Sequence, residues 1–248
     1  MTTDKPTIVL VHGAFAESAS WSDVIARLHE HGVRAVAAAN PLRSLAGDAA
    51  YVRDVIASVQ GPVILVGHSY GGMVITEAAS KNSSVVGLVY VNAFVPDTGQ
   101  SAFELSTSAP GSTLGEALDA HPVASGGDEF VIKADRYHEQ FAADVPENVT
   151  ALMAATQRPV TQAALSEGLT TDRPAWQDIP SWHVFGDQDR NIPVAVHRTG
   201  AARAGSRGTF EIPGGSHALT VSQPQAVANA IAEAGKAFVA SQTASAAV

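Results

Sequence analysis

Gly67-His68-Ser69-Tyr70-Gly71-Gly72 is the stretch that decides how this chain folds. It follows the apolar run Pro62-Val63-Ile64-Leu65-Val66. It precedes Met73-Val74-Ile75-Thr76-Glu77-Ala78-Ala79, which reads as a helix. A Gly-x-Ser-x-Gly at a strand-to-helix turn has no room for side chains at Gly67 and Gly71. Such a turn holds its serine, here Ser69, in a strained backbone conformation with the hydroxyl raised above the sheet. A glycine-rich turn that only opens a helix would carry the same letters. The two readings part on whether an acid and a base follow at later strand ends.

Further apolar runs of strand length lie on both sides. They are Thr7 to Val11, Val33 to Ala39, Val85 to Asn92, Ser181 to Phe185 and Thr209 to Ile212. Continuous rather than alternating runs suit strands buried on both faces of a parallel sheet. Helical patterns fall between them. Trp21, Val24, Ile25 and Leu28 share one face, with Ser20 expected as the cap and Asp23 in the first turn. Leu45, Val52, Val55, Ile56 and Val59 form a second stripe, and Gln225 to Val239 a third helix. The expected fold class is α/β: a mostly parallel six-stranded sheet with helices on both faces. Functional groups then gather at the carboxyl ends of the strands.

Residues 97–178 break this rhythm. They are rich in Ser, Thr, Gly and Pro near the start and helix-like around Tyr137–Ala142 and Asn148–Gln157. So long a stretch is not a structureless loop in a compact domain. It reads as a mainly helical cap inserted after the fourth strand, over a core of 1–96 and 179–241. Residues 242–248 are expected to be a disordered tail. Phe103, Leu105, Phe130, Tyr137, Phe141, Leu152 and Met153 either line an apolar pocket under the cap or form its own core.

Composition narrows the function. The chain has 248 residues, 46% hydrophobic and 16% charged, as suits one large buried interior. Its net charge is −9, with 24 acidic against 15 basic residues and no Lys/Arg-rich run. Nucleic acid and anionic membrane surfaces are therefore not expected partners. With no cysteine there is no disulfide, thiolate metal site or cysteine nucleophile. No apolar run approaches the roughly 18 residues of a membrane span, and no signal peptide is evident, so a cytoplasmic location is expected.

The remaining chemistry sits at strand ends, in order. Asp187 and Asp189 follow the fifth strand, and either could orient a histidine. His217 follows the sixth and is placed to act as the base. Ser69, then an aspartate, then His217 is the order that goes with a serine nucleophile on such a turn. His12-Gly13-Ala14-Phe15 follows the first strand, where a loop supplies one backbone N–H to an oxyanion hole. Tyr70, the residue after the serine, supplies the other. The other histidines form no ligand-spaced cluster. His12 and His68 are expected to hold loops by hydrogen bonds, while His121, His138, His183 and His197 are read as structural.

Over nearly its whole length the chain resembles the α/β-hydrolase superfamily. The stretches His12-Gly13-Ala14-Phe15, Gly67 to Gly72 and Gly214-Gly215-Ser216-His217 resemble the branch of plant methyl esterases, hydroxynitrile lyases and many bacterial esterases. The resemblance implies Ser69, Asp189 and His217 as the triad, Ala14 and Tyr70 as oxyanion donors, and Asp187 as a structural neighbour. It implies a cofactor-free and metal-free serine hydrolase acting on small, fairly apolar esters. The lyases typically carry Thr at the position of Gly13 and Lys at that of Ala218, so cyanohydrin cleavage is disfavoured. A lactonase or perhydrolase reaction on the same triad, and a slow-turnover ligand receptor, are the alternatives. The sequence does not choose between monomer and homodimer.

Overall fold

The computed structural model describes residues 5–124 and 126–245. Among the described residues nine strands follow in chain order: β1 (Thr7–Val11), β2 (Ala35–Ala38), β3 (Val63–His68), β4 (Val85–Val91), β5 (Leu118–Pro122), β6 (Asp128–Ile132), β7 (Val160–Thr161), β8 (Ser181–Gly186) and β9 (Gly208–Ile212). Six of them make one sheet in the order β2-β1-β3-β4-β8-β9, with every pairing parallel. These are the six expected strands.

Successive side chains in a strand face opposite ways, and both ways are buried here. Ile8, Leu10, Ile64 and Val66 pack with Trp21, Val24 and Leu28 and with Val227 and Ile231 of the C-terminal helix (Pro224–Ser245). Val9, Val11, Leu65 and Leu88 pack on the other face with helices Leu45–Ser58 and Gly71–Ala79. Burial on two faces is why the strands read as unbroken apolar runs.

Helix boundaries bring two corrections. Ser20 does not cap helix Ser22–Glu30. It lies in a short 3-10 turn, Ser18–Trp21, and its Oγ donates to the Glu17 carbonyl. The C-terminal helix continues through residues 242–245, the first part of the expected tail; residues 246–248 lie outside those described.

Residues 97–178 are more mixed than expected. Helices Ala102–Ser106, Ala134–Phe141, Glu147–Thr156 and Gln162–Ser166 are joined by a second, antiparallel sheet, β5-β6-β7. The segment leaves the core after β4 and returns at β8, its immediate neighbour in the sheet. Leu105, Tyr137 and Phe141 are buried, and Phe130 and Met153 are half-buried against the core. Phe103 and Leu152 are exposed, at 62% and 68%, so they belong to neither the segment's core nor a closed pocket.

Candidate active site

Ser69 stands at the end of β3 with φ +55°, in the left-handed region that a residue with a side chain rarely adopts. The turn is held by backbone. Ser69 N–H donates to the Val91 carbonyl at 3.2 Å, and its carbonyl accepts from Phe94 N–H at 3.2 Å. Helix Gly71–Ala79 starts two residues on, so its partly positive N-terminus points at the turn. The glycines are required by contact. A Cβ on Gly67 would lie 2.6 Å from the Gly71 carbonyl oxygen, and one on Gly71 would collide with the Val11 carbonyl oxygen.

The loop after β1 closes over this turn. A Cβ on Gly13 would lie 2.5 Å from Ser69 Cβ and 3.1 Å from Tyr70 N. Among the described residues, the N–H groups of Ala14 and Tyr70 donate to no protein acceptor. The next residue, Phe15, has φ +62° and is tied on both sides. Its N–H donates to the Arg158 carbonyl at 3.2 Å, and its carbonyl accepts from Tyr137 Oη at 2.7 Å. The Tyr70 side chain points away, donating its hydroxyl at 3.0 Å to Asp48, a buried acid whose pKa is raised by that burial.

His217 and Asp189 are brought together from different strand ends. His217 Nδ1 lies 2.7 Å from Asp189 Oδ2, with both side chains buried. Burial alone would raise the Asp189 carboxyl. His217 and His197 outweigh it and hold that carboxyl well below the usual carboxylate range. The other ring nitrogen, Nε2 of His217, is buried and has no hydrogen-bond partner among the described residues. Ser69 Oγ and His217 Nε2 are therefore not bonded to each other in this state. A histidine whose Nδ1 is engaged by a carboxylate carries its free lone pair on Nε2 and is a base there.

Asp187 lies outside this contact. Its Oδ1 accepts from Gly214 N–H at 2.7 Å and so braces the histidine loop. His12 and His68 do hold loops. His12 Nδ1 lies 2.9 Å from the Gly13 carbonyl, and His68 Nε2 lies 2.9 Å from the His217 carbonyl. Burial pushes His68 down to about 3, so it is neutral at neutral pH.

Two residues of the site escape sequence reasoning. Asn92, fully buried at the end of β4, donates to the carbonyls of Ser216 at 2.7 Å and His217 at 2.9 Å. Its Oδ1 accepts from Gly186 N–H at 2.8 Å. The signal available was an amide closing an apolar run. His197 lies 3.0 Å from Asp189 Oδ2 through Nε2 and gave no signal beyond its distance along the chain.

A family model described as the alpha/beta hydrolase family matches residues 8–230. A pyrethroid hydrolase of Sphingobium wenxiniae is 29% identical over 246 residues, covering 91% of this chain and 86% of that protein. A carbendazim hydrolyzing esterase of a Nocardioides species is 35% identical over 138 residues, 46% of this chain and 56% of that protein. Among solved structures, polyneuridine aldehyde esterase superposes with a TM-score of 0.79 at 19% identity, over 93% of this chain and 99% of that one. The chain belongs to the alpha/beta hydrolase family.

Proposed function

We propose that the protein is a serine hydrolase cleaving small, fairly apolar carboxylic esters through a Ser69-His217-Asp189 triad and an acyl-enzyme. The buried His217–Asp189 pair, with Nε2 left free, carries this reading. The relatives named esterase or hydrolase support a hydrolase acting on ester bonds. In the reaction Ser69 Oγ attacks the ester carbonyl as His217 Nε2 takes its proton. Asp189 keeps the ring in the tautomer with its proton on Nδ1 and stabilises the imidazolium. Catalytic contacts of this kind often tighten only when substrate is bound. The developing oxyanion receives the Ala14 and Tyr70 N–H groups, each such donor contributing about 3 kcal/mol to the transition state. His217 then protonates the leaving alcohol, and water repeats the sequence to free the acid.

Residues 97–178 act as a cap over this site. Phe141 lies edge-on to His217 with ring centroids 4.9 Å apart, and Tyr137 holds the loop of Ala14 and Phe15. Ser69 is only 7% exposed. The apolar residues of this segment therefore bear on which acyl and alcohol groups fit. A panel of p-nitrophenyl esters, combined with phosphonate labelling, tests the reading. Turnover of short acyl chains, with labelling confined to Ser69, is expected. Ser69→Ala should keep the fold and lose about a millionfold in kcat. A Ser69→Ala variant retaining a tenth of the activity overturns the assignment.

A further inference from the structure

We propose that His197 is a positioning residue for the triad acid, a second histidine that donates to Asp189 and sets both the rotation and the basicity of its carboxylate. This rests on the serine-hydrolase reading above. His197 lies on helix Val194–Arg203 and is 2% exposed. Its Nε2 is 3.0 Å from Asp189 Oδ2, the same oxygen that meets His217 Nδ1 at 2.7 Å. The other oxygen, Oδ1, accepts from the N–H groups of Asn191 at 2.8 Å and Ile192 at 2.9 Å. The carboxylate thus has two donors on each oxygen, as many as its lone pairs accept.

The arrangement is rigid on the His197 side as well. Its ring stacks on Phe185, with centroids 5.1 Å apart and planes 16° apart. Phe185 belongs to β8, the strand that leads into the Asp189 loop. The ring and the carboxylate it meets are therefore carried by one piece of structure. Turning the carboxylate about Cβ–Cγ moves both oxygens, so the donors on Oδ1 and on Oδ2 resist that turn together. His197 adds its share from the helix side.

The same donor draws charge from the oxygen that faces His217. Removing it leaves Asp189 more basic, so the imidazolium of His217 becomes easier to form. Other titratable groups also face the pair. His68, from β3, has its ring 4.8 Å from that of His217, and His12 stands beyond it. His183, from β8, faces His197, and burial pushes it down to about 3. On the acid's own loop, the charged ends of Arg190 and Asp187 turn outward to Glu139 and to Gly214 N–H.

The test uses the full chain with His197→Phe, which keeps the stack and loses the donor, and His197→Gln, whose amide nitrogen replaces Nε2–H. His197→Phe should lose about 10- to 100-fold in kcat with KM within about twofold, the scale found for groups that orient a reacting residue. The acidic limb of its kcat/KM profile should move to higher pH, and so should the titration midpoint of His217 followed by ring 15N NMR. His197→Gln should return kcat to within about threefold of wild type and restore the midpoint, since an N–H donor again faces Oδ2. A His217 midpoint unchanged in His197→Phe, or no rescue by His197→Gln, overturns the proposal. Should His197→Phe fail to fold, the wild-type ring 15N spectrum decides. A protonated Nε2 on His197 whose resonance moves with Asp189→Asn is required, and a bare Nε2 overturns the proposal. Absence of Ser69-dependent turnover in the wild type would instead sink the hydrolase reading, and the NMR measurements stand apart from it.

Discussion

The six-stranded core and the segment 97–178 differ in how much of their structure is buried. In the core, backbone meets backbone. Gly71 backs onto the Val11 carbonyl, Gly13 onto Ser69, and Gly186 onto the Gly215 carbonyl, and none of these contacts leaves room for a methyl group. In the inserted segment β5 is almost wholly exposed, and Phe103 and Leu152 face solvent. Side chains from many points of the segment tie it to the core. Tyr137 reaches Phe15, Trp176 Nε1 donates to the Pro96 carbonyl at 2.8 Å, and Glu77 of the helix after Ser69 accepts from Thr170 and Thr171. The proposed chemistry stands where the chain has least freedom to change. The proposed selectivity stands where it has most.

The sharpest way to break that contrast is inside one loop of the core. Asp189→Asn should lower kcat by about 10⁴-fold, because an amide cannot hold His217 in the required tautomer. Asp187→Asn keeps an oxygen for Gly214 N–H and should cost less than about tenfold. Steady-state kinetics on one ester compares the two, and a dead Asp187 variant beside a live Asp189 variant would place the acid two residues earlier.

The core should also give way first in acid. His68 and His183 are buried neutral with pKa values of about 3, against about 6.5 when unfolded. Below about 6.5 the unfolded chain binds protons that the folded one refuses, so stability falls as pH drops towards 3 and is flat above that window. Each histidine contributes on the order of a few kcal/mol to this loss. Asp189, whose carboxyl is held low in the fold, adds a further loss below about 4, where the unfolded acid protonates. Urea midpoints should hold from pH 7.5 to about 6.5 and then fall steeply towards pH 4.5. His183→Gln, at the ring that stacks on Tyr90, should make the fall shallower.

Smaller effects are expected where the two regions touch. Tyr137→Phe leaves the Phe15 carbonyl without its donor in a buried setting, which should cost about 1–2 kcal/mol and roughly tenfold in kcat. A denaturant titration read alongside kcat separates loss of fold from loss of the loop. Smallest of all, Leu152→Gln at the solvent face should stay within about 0.5 kcal/mol of wild type and leave ester preference unchanged. A changed preference would mean that this face closes over substrate.

What the sequence made legible follows the same division. The core strands were readable because burial on both faces forces unbroken apolar runs, and the proposed triad of Ser69, Asp189 and His217 was named because each sits just past one of them. The sheet β5-β6-β7 was not readable. Leu118-Asp119-Ala120-His121-Pro122 has charge, exposure and a proline, and backbone pairing with Asp128–Ile132 holds it rather than an apolar pattern. Asn92 and His197 were missed for another reason. Their partners lie across the sheet or around a helical turn, and local pattern carries no record of such contacts. Ser20 misled because a 3-10 turn took the place of the cap.

One topological fact bears on how the enzyme comes into being. β4 pairs with β8, Leu88 against Ser181, so the whole segment 97–178 must be spanned before the last two strands can dock. Long closures slow folding, and a chain leaving the ribosome presents β1 to β4 first. Those four strands carry the proposed nucleophile and both oxyanion donors, whereas the acid and the base arrive with β8 and the loop after β9. A half-made molecule thus holds a serine with nothing to deprotonate it. Under the proposed mechanism, hydrolysis begins only once the final strands are seated.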